Sequence, residues 1–220
     1  MQRRNLIVGG AAALGLGGWA LSRPSKDLPF DPFMAANAQE ATAEPAMIPD
    51  MVLGDANAPI EIIEYASYTC PHCATFHANV FPKLKADYID TGKVRFIYRE
   101  VYFDRFGLWA SMIARCGGEM RYFGLAGLIY ENQRAWTASG DPATIIEDLR
   151  KLAKTAGLTD EMLDACMNDA EQAKALVGWY QENAERDDIK STPSFMIDGE
   201  KYSNMAYGDF QSILDEKIGG

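Results

Sequence analysis

Two cysteines separated by two residues, in Thr69-Cys70-Pro71-His72-Cys73, are the part of this 220-residue chain best suited to chemistry. A pair at that spacing can close a small disulfide. The apolar run Ile60 to Ala66 just before it reads as a strand, so Cys70 falls where a helix is expected to begin. Orphan amide groups and the helix dipole at such a terminus favour negative charge. The thiolate is the species that attacks disulfides, and this placement stabilises it. His72, when protonated, adds a second stabilising charge. Cys70 is therefore expected as the exposed nucleophile and Cys73 as its resolving partner, one turn further in. Half of a zinc site or a plain structural disulfide are the alternatives. Zinc normally takes a second closely spaced pair, whereas Cys116 and Cys166 stand far apart in the chain, which favours redox chemistry.

Glu64 precedes Cys70 by six positions. Strand alternation puts it on one face with Ile60 and Ile62, and a run this apolar belongs near the centre of a sheet. Burial disfavours the charged form of a carboxylate, so a Glu64 held there is expected to relay protons to Cys73 during exchange. The alternative is a solvated edge acid. His77, one turn beyond Cys73, has no second ligand in view and reads as a surface or packing histidine.

The elements that must position these residues follow from periodicity. Met51-Val52-Leu53 reads as a short edge strand closed by the turn-like Gly54-Asp55-Ala56-Asn57. The helix after Cys70 continues through Phe76, Val80, Leu84 and Tyr88, with a kink expected at Pro82. Val94, Phe96 and Tyr98 alternate as another strand. From about Asp104 to Asp188 the signal is helical. Asp141-Pro142 reads as an N-cap with proline at the first helical position, and Gly157 can end that helix. Two further helices follow, one from Thr159 and one carrying Ala173, Leu176, Val177, Tyr180 and Ala184 on a single stripe. Trp109, Trp136 and Trp179 are expected to fill this helical core. Phe195 and Ile197 return to strand alternation, Asp198-Gly199 signals a hairpin, and a last amphipathic helix carries Phe210, Ile213, Leu214 and Ile218. The expectation is an α/β core interrupted by an all-helical insertion.

Arg3 and Arg4 precede the apolar stretch Leu6 to Leu21, a charged region followed by a hydrophobic one as in export signals. Ala36-Asn37-Ala38 offers a small-residue cleavage site, and an uncleaved anchor is the alternative. Residues 1–38 are thus read as signal or anchor, 39–50 as a tether, 51–103 and 189–220 as the two parts of the core, and 104–188 as the insertion. Export places the chain in the periplasm, an oxidising compartment where disulfides persist. The whole chain carries a net charge of −10. Removing residues 1–38 takes away four basic residues (Arg3, Arg4, Arg23, Lys26) and two acidic ones (Asp27, Asp31), which leaves −12. Such acidity argues against nucleic acid and anionic lipid as partners.

From about Met51 to the C-terminus the chain resembles the DsbA-type branch of the thioredoxin superfamily, the bacterial exported dithiol oxidases. The resemblance rests on Cys70-Pro71-His72-Cys73, the approach from Gly54 to Pro59, Thr192-Pro193 and the helical block. It implies a thioredoxin fold with an all-helical domain inserted between the third and fourth core strands. It makes Pro193 a cis proline facing the cysteine pair, with Thr192 offering its backbone to an extended substrate strand, and it places an acid at Glu64. Its members donate a disulfide to unfolded or partly folded exported proteins with free thiols, are reoxidised by a membrane quinone-linked partner of the DsbB type, and need no cofactor or metal. Thr192 departs from the branched apolar residue of the best-known oxidase and also occurs in disulfide isomerases, so an isomerase or reductase is a second reading. A non-catalytic peptide-binding or chaperone module is a third. A subgroup from α-proteobacteria carries a second cysteine pair. By that likeness Cys116 and Cys166 form a non-catalytic disulfide, the alternative being two buried free thiols.

Overall fold

A computed structural model describes residues 48–219. The export signal or anchor expected over residues 1–38 lies outside them. Among the described residues one mixed sheet carries strands β1 (Met51–Leu53), β2 (Ile60–Ala66), β3 (Val94–Glu100), β4 (Ser194–Ile197) and β5 (Glu200–Ser203). Their spatial order is β1-β3-β2-β4-β5. The largely apolar β2, interrupted by Glu61 and Glu64, therefore takes the middle, parallel to β3 from Ile60↔Val94 to Ala66↔Glu100 and antiparallel to β4 from Ile62↔Ile197 to Tyr65↔Ser194. β1 is an edge, paired antiparallel to β3. Gly54 leaves β1 at φ +94°, where a Cβ would stand 2.4 Å from the Val94 carbonyl oxygen, so only glycine fits this turn.

Helix α1 (Pro71–Asn79) starts directly beyond the C-terminal end of β2. The kink expected at Pro82 falls two residues earlier: α1 stops, Val80 sits at φ −110°, and α2 (Phe81–Leu84) resumes before a wide π turn over Lys85–Ile89. Proline has no N–H to give and its ring crowds the preceding turn, which accounts for the break.

Between β3 and β4 the chain is helical: α3 (Arg105–Cys116), α4 (Glu119–Glu131), α5 (Gln133–Thr137), α6 (Pro142–Thr155), α7 (Asp160–Met167) and α8 (Ala170–Arg186). Asp104, Asp141, Thr159 and Asp169 cap four of these helices by accepting from backbone N–H groups. Helix α9 (Tyr207–Gly219) returns to the sheet and buries Phe210 and Leu214. Trp109 and Trp136 are buried as expected. Trp179 also packs against the helical core, half-buried at its edge, where it lies against the guanidinium groups of Arg99 and Arg115, 5.9 Å and 5.3 Å from its ring centre.

The tether expected over residues 39–50 lies mostly outside the described residues, but its last three are docked. Ile48 is buried against Tyr102, Leu108 and Met112, the Pro49 carbonyl accepts from Arg115, and Asp50 accepts twice from Arg99 at 2.9 Å. Arg115 also donates from Nε and Nη2 to the two oxygens of Glu100, each at 2.7 Å, with both side chains buried. Charges removed from water this way must be paired, and this pair joins the end of β3 to α3. Cys116, the next residue, is bonded to Cys166 of α7, with a Cα–Cα distance of 5.8 Å.

Candidate active site

The site forms where β2 ends and α1 begins. Cys70 has extended backbone angles (φ −83°, ψ 118°) and is the N-cap of α1, with Pro71 at the first helical position. Its backbone N–H donates to the Ser67 carbonyl at 3.0 Å, closing the turn out of the strand. Thr69 Oγ1 donates to Asp104 at 2.9 Å, and Gln133 Nε2 donates to the carbonyls of Tyr68 and Cys70 at 2.8 Å and 2.9 Å. Both ends of the helical insertion's near wall thus hold the active-site loop.

Cys70 and Cys73 are both free thiols. The exposed residues of the motif are Pro71 and His72. Cys70 itself is only 8% exposed, which corrects the expectation of an exposed nucleophile: the loop carrying Thr192 closes over its sulfur. It remains the more accessible of the two, since Cys73 is 0% exposed. The Thr192–Pro193 bond is cis. The neutral Cys70 thiol donates to the Thr192 carbonyl oxygen at 3.4 Å.

The Cys70 thiol is drawn down from 9.0 to about 5. The largest cause is the Cys73 thiol, which donates to the Cys70 sulfur; burial opposes it, and the Thr192 side chain and the backbone N–H groups of Cys73 and His72 add to it. Those N–H groups belong to the second and third residues of α1 and make no cap bond to the neutral sulfur. They are the groups a side chain at the N-cap normally satisfies, and here they await an anion. The Thr192 hydroxyl, the side-chain donor already counted among these causes, is buried with no hydrogen-bond partner beside the neutral thiol, and ionisation would satisfy it. The part His72 plays among these causes is its backbone N–H, while its ring stands in solvent. The Cys73 thiol moves the other way, held far above its ordinary value by burial, then by Cys70 and the nearby Glu64 carboxylate.

Glu64 is 0% exposed. Its two oxygens lie 3.2 Å and 3.0 Å from Nε2 of His77. His77, expected as a surface or packing residue, does pack, stacked on Tyr130 at 4.3 Å, but it is also the direct partner of Glu64. Gln133 was missed altogether. A histidine one turn beyond Cys73 was the available signal for the first, and nothing local marked the second. Behind them lie two hydrogen-bonded pairs of phenols in ring contact, Tyr98 with Tyr130 and Tyr68 with Tyr122, and Tyr122 donates to Glu100. Burial holds these tyrosines well above their ordinary 10, so they stay neutral.

A central parallel strand, a dithiol at the following helix N-terminus and a cis proline beside it make a specific combination. A family model described as thioredoxin matches residues 47–216. Alpha-DsbA1 of Wolbachia pipientis is 30% identical and superposes with a TM-score of 0.72 over 79% of this chain and 93% of its own. This chain belongs to the DsbA-type branch of the thioredoxin family. BdbD of Bacillus subtilis, 22% identical, shares the fold of this DsbA-type chain with a TM-score of 0.69, over 78% of this chain and 94% of its own. A curated relative from Rickettsia bellii, a putative protein-disulfide oxidoreductase by name, is 33% identical over 77% of this chain. The DsbA-type chain spans 64% of the length of that relative. No helix among its described residues is long and apolar enough to cross a membrane.

Proposed function

We propose that the chain is an exported, periplasmic dithiol oxidase that donates the Cys70–Cys73 disulfide to folding proteins. The observation that carries this reading is the set of donors around the Cys70 sulfur, which draws its pKa to about 5. Each unit of preferential thiolate stabilisation favours the reduced enzyme by about 1.4 kcal/mol before solvent screening, and so makes its disulfide the stronger oxidant.

In the forward direction a substrate thiolate attacks the Cys70 sulfur and expels Cys73 as a thiolate. Burial makes that anion costly, so it takes a proton, with Glu64 as the relay. A second substrate thiolate then attacks the substrate sulfur of the mixed disulfide. Cys70 leaves as a stabilised thiolate, and a low-pKa leaving group speeds this step. The substrate has lost two electrons, which the enzyme holds as its dithiol and passes on to a membrane quinone-linked partner of the DsbB type. Thr192 and cis Pro193 stand beside the sulfur, where an extended substrate strand would lie. Cys116 and Cys166 take no part in the exchange.

The equilibrium constant of the Cys70–Cys73 pair with glutathione tests the proposal. An oxidase gives a pair that glutathione reduces readily. A pair that stays oxidised in excess reduced glutathione would overturn this reading in favour of a reductase.

A further inference from the structure

Glu64 has no surface in contact with solvent, so a proton reaches or leaves its carboxylate only through a neighbour. His77 is bonded to that carboxylate, and its ring, 7% exposed, lines a cavity of about 960 Å3 between α1 and the helices α4 and α5. The cavity begins beside Thr69 and Pro71, and its rim carries the exposed residues Thr75, Asn79, Glu131 and Arg134. One imidazole therefore touches the buried acid on one side and the cavity on the other. Tyr130 lines the same cavity, but its hydroxyl is bonded to Tyr98 and burial keeps it protonated.

We infer that His77 is the proton port of Cys73, carrying protons between Glu64 and the solvent that enters the cavity. The inference rests on the relay reading of Glu64 given above. When substrate opens the disulfide, the Glu64 carboxylate takes a proton from the His77 imidazolium and hands one to the expelled Cys73 thiolate, and the imidazole regains its proton from water. Closure of the disulfide runs the same transfers backwards. No electrons pass through His77. An imidazole suits the task because it both accepts and donates protons near neutral pH. The groups packed on it are Glu64 from β2, Tyr98 from β3 at 5.8 Å and Tyr130 from α4, with the rings of Phe76 and Phe81 beside them. Cys73 lies one turn earlier on the same helix, and Asp104, Glu131 and Arg134 bring charge to the cavity walls.

The test follows one closure of the disulfide in the full chain. The reduced protein is mixed with excess Ellman's reagent, and the coloured thiolate is released twice. The first release reports attack by Cys70, and the second reports Cys73 losing its proton and closing on Cys70. His77→Gln keeps a polar side chain that cannot carry the proton, and His77→Gly leaves a hole open to the cavity. Both are expected to slow the second release about tenfold or more between pH 5 and 8 and to leave the first within about twofold. Added imidazole restores the rate of His77→Gly, while pyrazole, of the same shape and far less basic, does not. Equal rescue by pyrazole would make His77 a packing residue and overturn the inference. So would an unchanged second release in His77→Gln when Glu64→Gln slows it, an outcome that leaves the Glu64 relay standing. An unchanged second release in Glu64→Gln removes the relay itself, and this inference with it.

Discussion

Gln133, on the helical insertion, holds Cys70 by its backbone: its amide donates to the Cys70 carbonyl at 2.9 Å, across 63 positions of sequence. The same amide donates to Tyr68, so the turn that presents the sulfur is anchored from outside the thioredoxin core. Gln133→Ala leaves two carbonyls on that buried turn without this donor. The folded protein is expected to lose about 1–3 kcal/mol in urea titrations, and the Cys70 thiolate to form at higher pH, read from its absorbance at 240 nm.

The reduced protein is expected to be more stable than the oxidised one, by an amount that depends on pH. The folded Cys70 pKa of about 5 lies below its ordinary 9.0. A depressed pKa contributes stability that is fully present above the unfolded value and is lost as pH falls towards the folded one. The advantage of the dithiol form is therefore full at pH 9 and gone near pH 5. After discounting for solvent screening it amounts to about 2 kcal/mol. Denaturant titrations of both redox forms at several pH values measure it. A gap that widens on acidification contradicts the assignment.

His72 separates two ways of stabilising a thiolate. His72→Ala removes the imidazole and keeps the backbone N–H that points at the Cys70 sulfur, whereas His72→Pro removes both. Thiolate absorbance against pH should show a larger rise in the Cys70 pKa for His72→Pro than for His72→Ala. Equal rises would return the effect to the imidazole charge.

The Cys116–Cys166 bond closes a loop across 50 positions, from the end of α3 to α7. Replacing both cysteines by alanine frees that loop in the unfolded chain and is expected to cost about 2–4 kcal/mol of stability. Thermal melts of the double variant read the loss, with the Cys70–Cys73 pair kept reduced in both proteins.

The sequence by itself determined the spacing of the cysteine pair, the central strand before it, the helix start at Cys70 and the position of the helical block. These are local matters: a helix or strand announces itself through neighbours two to four residues away, and the strand run before Cys70 places the helix start there. The resemblance to a family added Thr192-Pro193, 122 positions from the sulfur it covers. Only the tertiary structure decided that the loop there leaves Cys70 8% exposed, that residues 48–50 dock, and that His77 meets Glu64. His77 shows why. Its place on α1 was readable, but which face of α1 rests on β2, at which height, depends on how the whole aromatic core packs, and no periodicity within either element encodes that.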